Sequence, residues 1–414
     1  MQVILSLGMG VESSAILARW MFEPETRPCN LSDLVIITAQ IGDEMRDTGE
    51  HMDTHILPLM RENNIRFVQV ARSGPRESDG ITILEDSNHP TRTFLEGDYK
   101  LSDELRSSGV LPAFGGVHRC SLKHKAQVIE SWLTSNHFDN NLRHAFGYNA
   151  DETKRAAKCV DATAKRVAFG FNSEEISRAE RAAIYDTPAR ESFFPLIEWN
   201  WTRQDCLDYL FEKFGVKHWP KSACVQCPFN ALKAEAIERH RQHPDQVADA
   251  MMLEFSSLAM NPRGQLYAKA SLIQITLERG DENAAKEFQQ RLEASQWSLY
   301  RIRRIYQAGK KNGVKTSEKK GTASRAVENL LSFTSRAEAE AQLDILATDL
   351  GGEMETAPSG IRYLYQERRG TSFPTREHYY TVAPACVKTK ARYGIEWFDS
   401  LWNAPQGSLC FEAA

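Results

Sequence analysis

Five stretches of the chain hold residues whose types and spacing suit phosphate, nucleotide or metal chemistry. In Ser6-Leu7-Gly8-Met9-Gly10-Val11-Glu12-Ser13-Ser14, Gly8 and Gly10 let a backbone turn tightly and approach a ligand. Ser6, Ser13 and Ser14 offer hydroxyls, and a helix beginning there adds free N–H groups and a positive dipole end. That combination is an anion cradle. It lacks the lysine of a Walker A loop and the third glycine of the dinucleotide fingerprint. Further on, Gln40, Asp43 and Glu44 precede Thr48 and Glu50. Carboxylates there suit Mg²⁺ or ribose hydroxyls, although an acidic helix start explains them equally well.

The run His118-Arg119-Cys120-Ser121-Leu122-Lys123-His124-Lys125 concentrates cations that can neutralise a triphosphate or sulfate-like group. Its ordinary explanation is a solvated charged face. The stretch Phe146-Gly147-Tyr148-Asn149-Ala150-Asp151-Glu152-Thr153-Lys154-Arg155 carries Gly147, Asp151, Glu152 and Arg155 at a turn, where a capped turn with an exposed ion pair is the plain alternative. Ser222-Ala223-Cys224-Val225-Gln226-Cys227 holds a Cys-x-x-Cys, a spacing that suits zinc, an iron–sulfur cluster, a redox pair or two inert thiols.

The elements that must position these residues alternate. Strand patterns at Val3 to Leu7, Asp33 to Ala39, Arg66 to Ala71 and Arg143 to Tyr148 are separated by helical patterns at Ser13 to Met21, Thr48 to Asn63 and Ser121 to Ser135. The order predicts an α/β fold with a doubly wound, mostly parallel sheet. Residues 72–116, rich in Gly, Ser, Pro and Asp, read as a long functional loop. The apolar spacing of Met251, Phe255, Leu258, Leu272 and Ile275 makes 231–309 a helical extension. Residues 310–326, with Lys310, Lys311, Lys315, Lys319, Lys320 and Arg325, read as an exposed basic linker. Residues 327–414 form a small α+β module, with strand-like runs at Tyr363 to Tyr365 and His378 to Val382.

The chain has 414 residues, 42% of them hydrophobic and 26% charged, which excludes a disordered polymer. A formal charge of −4 argues against a wholesale polyanion binder, while leaving room for a local basic face. No signal-peptide pattern opens the sequence and no run of eighteen apolar residues occurs, so a cytoplasmic protein without membrane spans is expected. In a reducing compartment the eight cysteines are better read as core thiols, ligands or redox groups than as disulfides.

Taken in order, the motifs resemble those of phosphoadenosine phosphosulfate (PAPS) reductases and related N-type ATP pyrophosphatases, over residues 1–230. The PP-loop of that class reads Ser-x-Ser-Gly-Gly-x-Asp-Ser. Ser6, Gly10 and Ser13 match it, while Gly8 stands in place of Ser, Met9 of Gly and Glu12 of Asp. The Gln40 to Glu44 turn, the Cys120-x-x-x-Lys spacing ending near Lys123 and Lys125, the Gly147 to Arg155 turn and the Pro195-Leu196-x-x-Trp199 segment resemble the family's as well.

The resemblance implies a HUP-like domain that binds ATP and Mg²⁺. Ser6, Gly8, Gly10, Ser13, Ser14, Gln40, Glu44, Arg119, Lys125, Gly147, Asp151 and Glu152 would line the nucleotide, with Lys123, Arg155 and Asp43 catalytic. It further implies that Cys120, Cys224 and Cys227 hold a [4Fe–4S] cluster or Zn²⁺; three thiolates would leave one position open, whereas Cys206 or His218 as a fourth ligand would instead close the site. The expected reaction is cleavage of ATP to AMP and pyrophosphate, adenylating a tRNA or DNA substrate for sulfur or nitrogen insertion, with a sulfur-donor protein as partner. Arg301, Arg303, Arg304, Lys310 and Lys311 would assist a nucleic acid. Two alternatives stand beside it. One is sulfonucleotide reduction, although Cys410 lacks the Glu-Cys-Gly-x-His tail this requires. The other is an ATP-binding sensor or scaffold with a degenerate loop.

Overall fold

A computed structural model describes residues 2–113, 119–136, 142–154, 156, 190–230, 234–267, 270–311 and 313–404. The chain forms two compact units, one drawn from 1–101 and 115–225, the other from 102–114 and 226–414.

The first unit is built on a six-stranded sheet. Its strands are β1 (Gln2–Ser6), β2 (Leu34–Gln40), β3 (Arg66–Arg72), β4 (Ile81–Ser87), β5 (Leu142–Ala145) and β6 (Arg190–Phe193), in spatial order β4-β3-β2-β1-β5-β6. All neighbours are parallel except β3 and β4. The order reverses at β1, between β2 and β5, and a sheet of this kind opens its ligand crevice at the carboxyl side of such a switch. Helix α1 (Val11–Phe22) follows β1. A helical run of α2 (Arg46–His51), a π turn (Met52–Ile56) and α3 (Leu57–Glu62) follows β2. After α4 (Leu101–Ser108), most of which belongs to the second unit, come α5 (Arg119–Ser121), a π turn (Leu122–Ala126) and α6 (Gln127–Ser135), then α7 (Pro195–Glu198) and α8 (Arg203–Phe214).

Alternation along the strands places a core on each face. Val3, Leu5, Leu34, Ile36 and Phe67 pack with Ile16, Trp20, Met60 and Leu210 on one side. Ile4, Val35, Ile37, Val68 and Val70 pack with Val128, Trp132 and Leu133 on the other. The unit is therefore mixed α/β with a mostly parallel sheet covered on both sides. The expected long loop at 72–116 differs, since it contains the antiparallel edge strand β4 and helix α4. Every β4 side chain is half-buried or exposed, so the strand lacks the apolar alternation that would announce it.

The second unit carries helices α9 (Ala234–Gln242), α10 (Pro244–Met260), α11 (Leu272–Glu278), α12 (Glu282–Ala294), α13 (Arg336–Leu350) and α14 (Ile395–Asn403). Its second sheet joins β7 (Trp297–Lys311), β8 (Val314–Phe333), β9 (Glu353–Thr356), β10 (Arg362–Glu367), β11 (Thr375–Pro384) and β12 (Lys390–Ala391) in the order β12-β8-β7-β11-β10-β9, antiparallel throughout. Two expectations are corrected here. The helical extension ends at Ala294, because Trp297 to Lys311 is a strand. The basic linker 310–326 is instead part of the β7–β8 hairpin, with Lys310 opposite Lys315 and Arg304 opposite Arg325. From Lys310 to Ala323 the described residues are exposed or half-buried and cross-strand hydrogen bonds supply the order, whereas Ser324 and Ala326 are buried.

Candidate active site at the carboxyl edge of the parallel sheet

The loop between β1 and α1 lies at the switch point. Met9 adopts φ +59°, the left-handed region, at the position where the resembled pattern has glycine. A methionine held there costs about 1 kcal/mol or more, offset by burial of its side chain, which is 2% exposed and packs into the core beneath α1. Its sulfur accepts a hydrogen bond from Gln40 Nε2 at 3.6 Å, tying the loop to the end of β2. The Gly8 N–H donates to Ser13 Oγ at 3.0 Å, and Gly10 is the N-cap of α1. Glu12 pairs with Arg203 of α8 at 2.6 Å and so ties the start of α1 to α8.

Ser14 Oγ, in a fully buried residue of the first turn of α1, has no hydrogen-bond partner, and neither does Gln40 Oε1 in a residue 1% exposed. Buried polar atoms are seldom left unsatisfied. Ser6 Oγ lies 2.7 Å from His144 Nε2 of β5, and His144 stacks on Phe146 at 4.2 Å between ring centroids. Gly147 packs against the loop so closely that a Cβ on it would stand 3.1 Å from Ser13 N.

The loop after β2 is held by the segment carrying the first cysteine of the pair. Glu44, 2% exposed, forms an isolated antiparallel bridge with Cys224, and the Met45 N–H donates to the Ala223 carbonyl. Ser222 reaches the phosphate-type loop itself, its Cβ 3.6 Å from where a Cβ on Gly10 would stand. Nothing in the sequence marks Ser222 for this place. Asp43 precedes the bridge in the same loop.

Lys123 sits in the π turn packed on β2 and β3, and its carbonyl accepts from Nη1 of the buried Arg72 at the end of β3. Arg119 is exposed and Lys125 half-buried in the same helical run, and His124 stacks with Tyr99 at 6.0 Å. The turn after β5 is partly structural. Asn149 and Glu152 form a capping box, with the Asp151 N–H donating to Asn149 Oδ1 at 3.0 Å, and Asp151 is exposed. Arg155, expected to be catalytic, lies outside the described residues, as do Cys159 and Cys410. Thus the loops after β1, β2 and β5 share the carboxyl edge, as do Arg72 and the Lys123 carbonyl.

Several other expectations resolve into packing. Cys206 is buried in the core beneath α1, where burial, with the Glu12 charge, pushes its thiol up to about 12. His218 is exposed. Trp199 and Trp201 take the Arg19 guanidinium over their rings at 4.4 Å each rather than a base. Cys224 is buried, whereas Cys120 and Cys227 are half-buried. Among the described residues no three His, Cys, Asp or Glu side chains are grouped to hold a metal ion. Arg301 and Arg303 are paired with Glu328, and Arg304 with Glu377, which removes these three from a free basic face.

No protein-family model, curated protein or solved structure matches the chain. No described helix is long and apolar enough to cross a membrane.

Proposed function

We propose that the chain binds ATP at the loop after β1, in a HUP-like first unit, and cleaves it to AMP and pyrophosphate while adenylating an acceptor for sulfur or nitrogen insertion. The observation that carries this is the loop itself. A left-handed residue turns the backbone at the switch point, Gly8 is braced on Ser13, and Ser14 Oγ and Gln40 Oε1 stand buried without partners. A polar ligand with many acceptors and donors suits such a place.

In the reaction an acceptor oxygen attacks the α-phosphorus, a bond to that oxygen forms, and the bond from the α-phosphorus to the bridging β-oxygen breaks, so that pyrophosphate carries away the electron pair. Ser6, Ser13 and the first N–H groups of α1 bind phosphate oxygens, and Lys123 neutralises the leaving group. Mg²⁺ needs only one or two carboxylates besides phosphate oxygens, a role for Asp43. When bound, the ion supplies charge to the departing pyrophosphate.

The acceptor class is a nucleic acid, supported by the turn half of the β7–β8 hairpin. There Lys310, Lys311, Lys315, Lys319 and Lys320 stand on a stretch whose own sequence holds a single acidic residue, Glu318. Such a ribbon adds phosphate contacts without reading sequence.

The test is product analysis with ATP labelled at the α-phosphate, in the presence of tRNA or DNA and a sulfide donor. Labelled AMP or adenylated nucleic acid with free pyrophosphate is expected, slowed about 100-fold in Lys123→Ala. Release of ADP, or no turnover with either nucleic acid, would contradict the assignment.

A further inference from the structure

The second unit contains a cavity of about 250 Å³. Arg325 of β8, Ser257 of α10, Asn261 and Gln265 beyond α10, and the stretch after α4 beginning at Gly109 line it, and no lining residue is acidic. Arg325 donates from Nη1 to the Gly109 carbonyl at 2.9 Å and from Nη2 to the Ser108 carbonyl at 2.7 Å. These use two of a guanidinium's five N–H directions, and no carboxylate pairs with it among the described residues. Burial, with the Arg304 charge nearby, pulls its pKa down to about 10, the mark of a cation lacking a counter-charge. Gly109 has φ +56°, and a Cβ there would meet the Met260 side chain at 2.6 Å, so only glycine lets this carbonyl reach Arg325.

A second, independent feature lies on the same wall. Ser257 is 2% exposed and its Oγ has no hydrogen-bond partner. An uncompensated guanidinium and an unsatisfied buried hydroxyl each cost free energy, and both are relieved by one ligand that supplies negative acceptor oxygens. The amides of Asn261 and Gln265 add neutral donors and acceptors. At about 30 Å³ per water, the space equals roughly eight waters, more than an oxyanion head alone requires, and Val110 and Leu111 offer an apolar side to the remainder.

We propose that this cavity binds a small organic oxyanion, a carboxylate or a phosphate monoester, with Arg325 making the charge contact and Ser257 donating to an anionic oxygen. The full chain would be titrated by calorimetry with succinate and with glycerol phosphate at constant ionic strength. Saturable binding of one of them is expected. Succinate alone assigns a carboxylate ligand, and glycerol phosphate alone a phosphate ester.

Ser257→Ala is expected to weaken binding about tenfold, by loss of a hydrogen bond to a charged group, with the unliganded Tm unchanged or raised. Arg325→Gln is expected to abolish binding, while Ser13→Ala leaves it unchanged, which separates this cavity from the loop after β1. Absence of saturable binding with both probes, undiminished binding in Ser257→Ala, or a clear fall in that variant's unliganded Tm would overturn the proposal.

Discussion

The loop after β1 in the first unit contains no fixed cation and leaves Ser14 Oγ and Gln40 Oε1 buried and unpartnered, whereas on the antiparallel sheet Glu377 is enclosed by partners. Glu377, 1% exposed, accepts from Arg304 at 2.9 Å and from Tyr306 Oη at 3.1 Å, and pairs with Arg263 as well. Counting charges alone would point to the arginine cluster. The dense arginine cluster is a closed network whose members satisfy one another, and such networks fix a fold. The sparse loop has unused hydrogen-bonding capacity, which in the function proposed above a ligand would complete.

The largest expected effect breaks the closed side of this comparison. Glu377→Gln leaves the guanidinium of Arg304, 6% exposed, without its counter-charge, and should destabilise the second unit by about 3–5 kcal/mol. Denaturant unfolding measures this, and ATP binding to the folded variant should be retained. A smaller effect is expected on the open side. Ser13→Ala removes the acceptor that braces Gly8 and should lower ATP turnover about tenfold or more while changing stability by about 1 kcal/mol. If both substitutions acted mainly on stability, the two regions would not differ in kind.

A finer test concerns Met9. Ala at this position keeps the left-handed strain and loses the buried side chain, whereas Gly loses the side chain and relieves the strain. Met9→Ala should therefore be less stable than Met9→Gly by about 1 kcal/mol, the reverse of the usual order in a helix or strand. Equal stabilities would mean that φ at Met9 is not left-handed in solution.

Proton linkage sharpens the comparison with the smallest perturbation. Burial holds both His240 and His378 of the second unit down to about 4, from an ordinary value of 6.5. Between those values the unfolded chain takes up protons that the folded chain refuses. Their stabilising contribution is thus complete above about pH 6.5 and is lost as pH falls toward 4. The raised carboxyl of buried Glu254 works in the opposite direction, while the lowered carboxyls of Glu328, Asp344 and Glu353, held by their arginine partners, add to the loss. Unfolding monitored across this range should show the second unit weakening first on acidification.

What could be read from the sequence follows the physics of each segment. The β1–loop–α1 unit was legible because an apolar run, small residues and a helical apolar stripe each carry their own signal, and Ser6, Gly8, Gly10 and Ser13 fall where that pattern puts them. The hairpin's turn half, Lys310 to Ala323, was illegible because a two-stranded ribbon with wet faces needs no apolar alternation, and its Lys, Ser and Thr content matches that of a linker. Ser222 at Gly10, Cys224 at Glu44 and Arg72 at the Lys123 carbonyl arise from contacts between distant segments, which local patterns do not encode. Glu12, where the resembled pattern has Asp, has its partner in Arg203, nearly two hundred residues away.

The central claim, that the loop after β1 is a nucleotide site, is tested most directly by calorimetric titration of the full chain with ATP and Mg²⁺, in wild type and in Ser13→Ala. One site per chain is predicted, weakened about tenfold by the substitution. No binding, or binding of equal strength in both proteins, would contradict it.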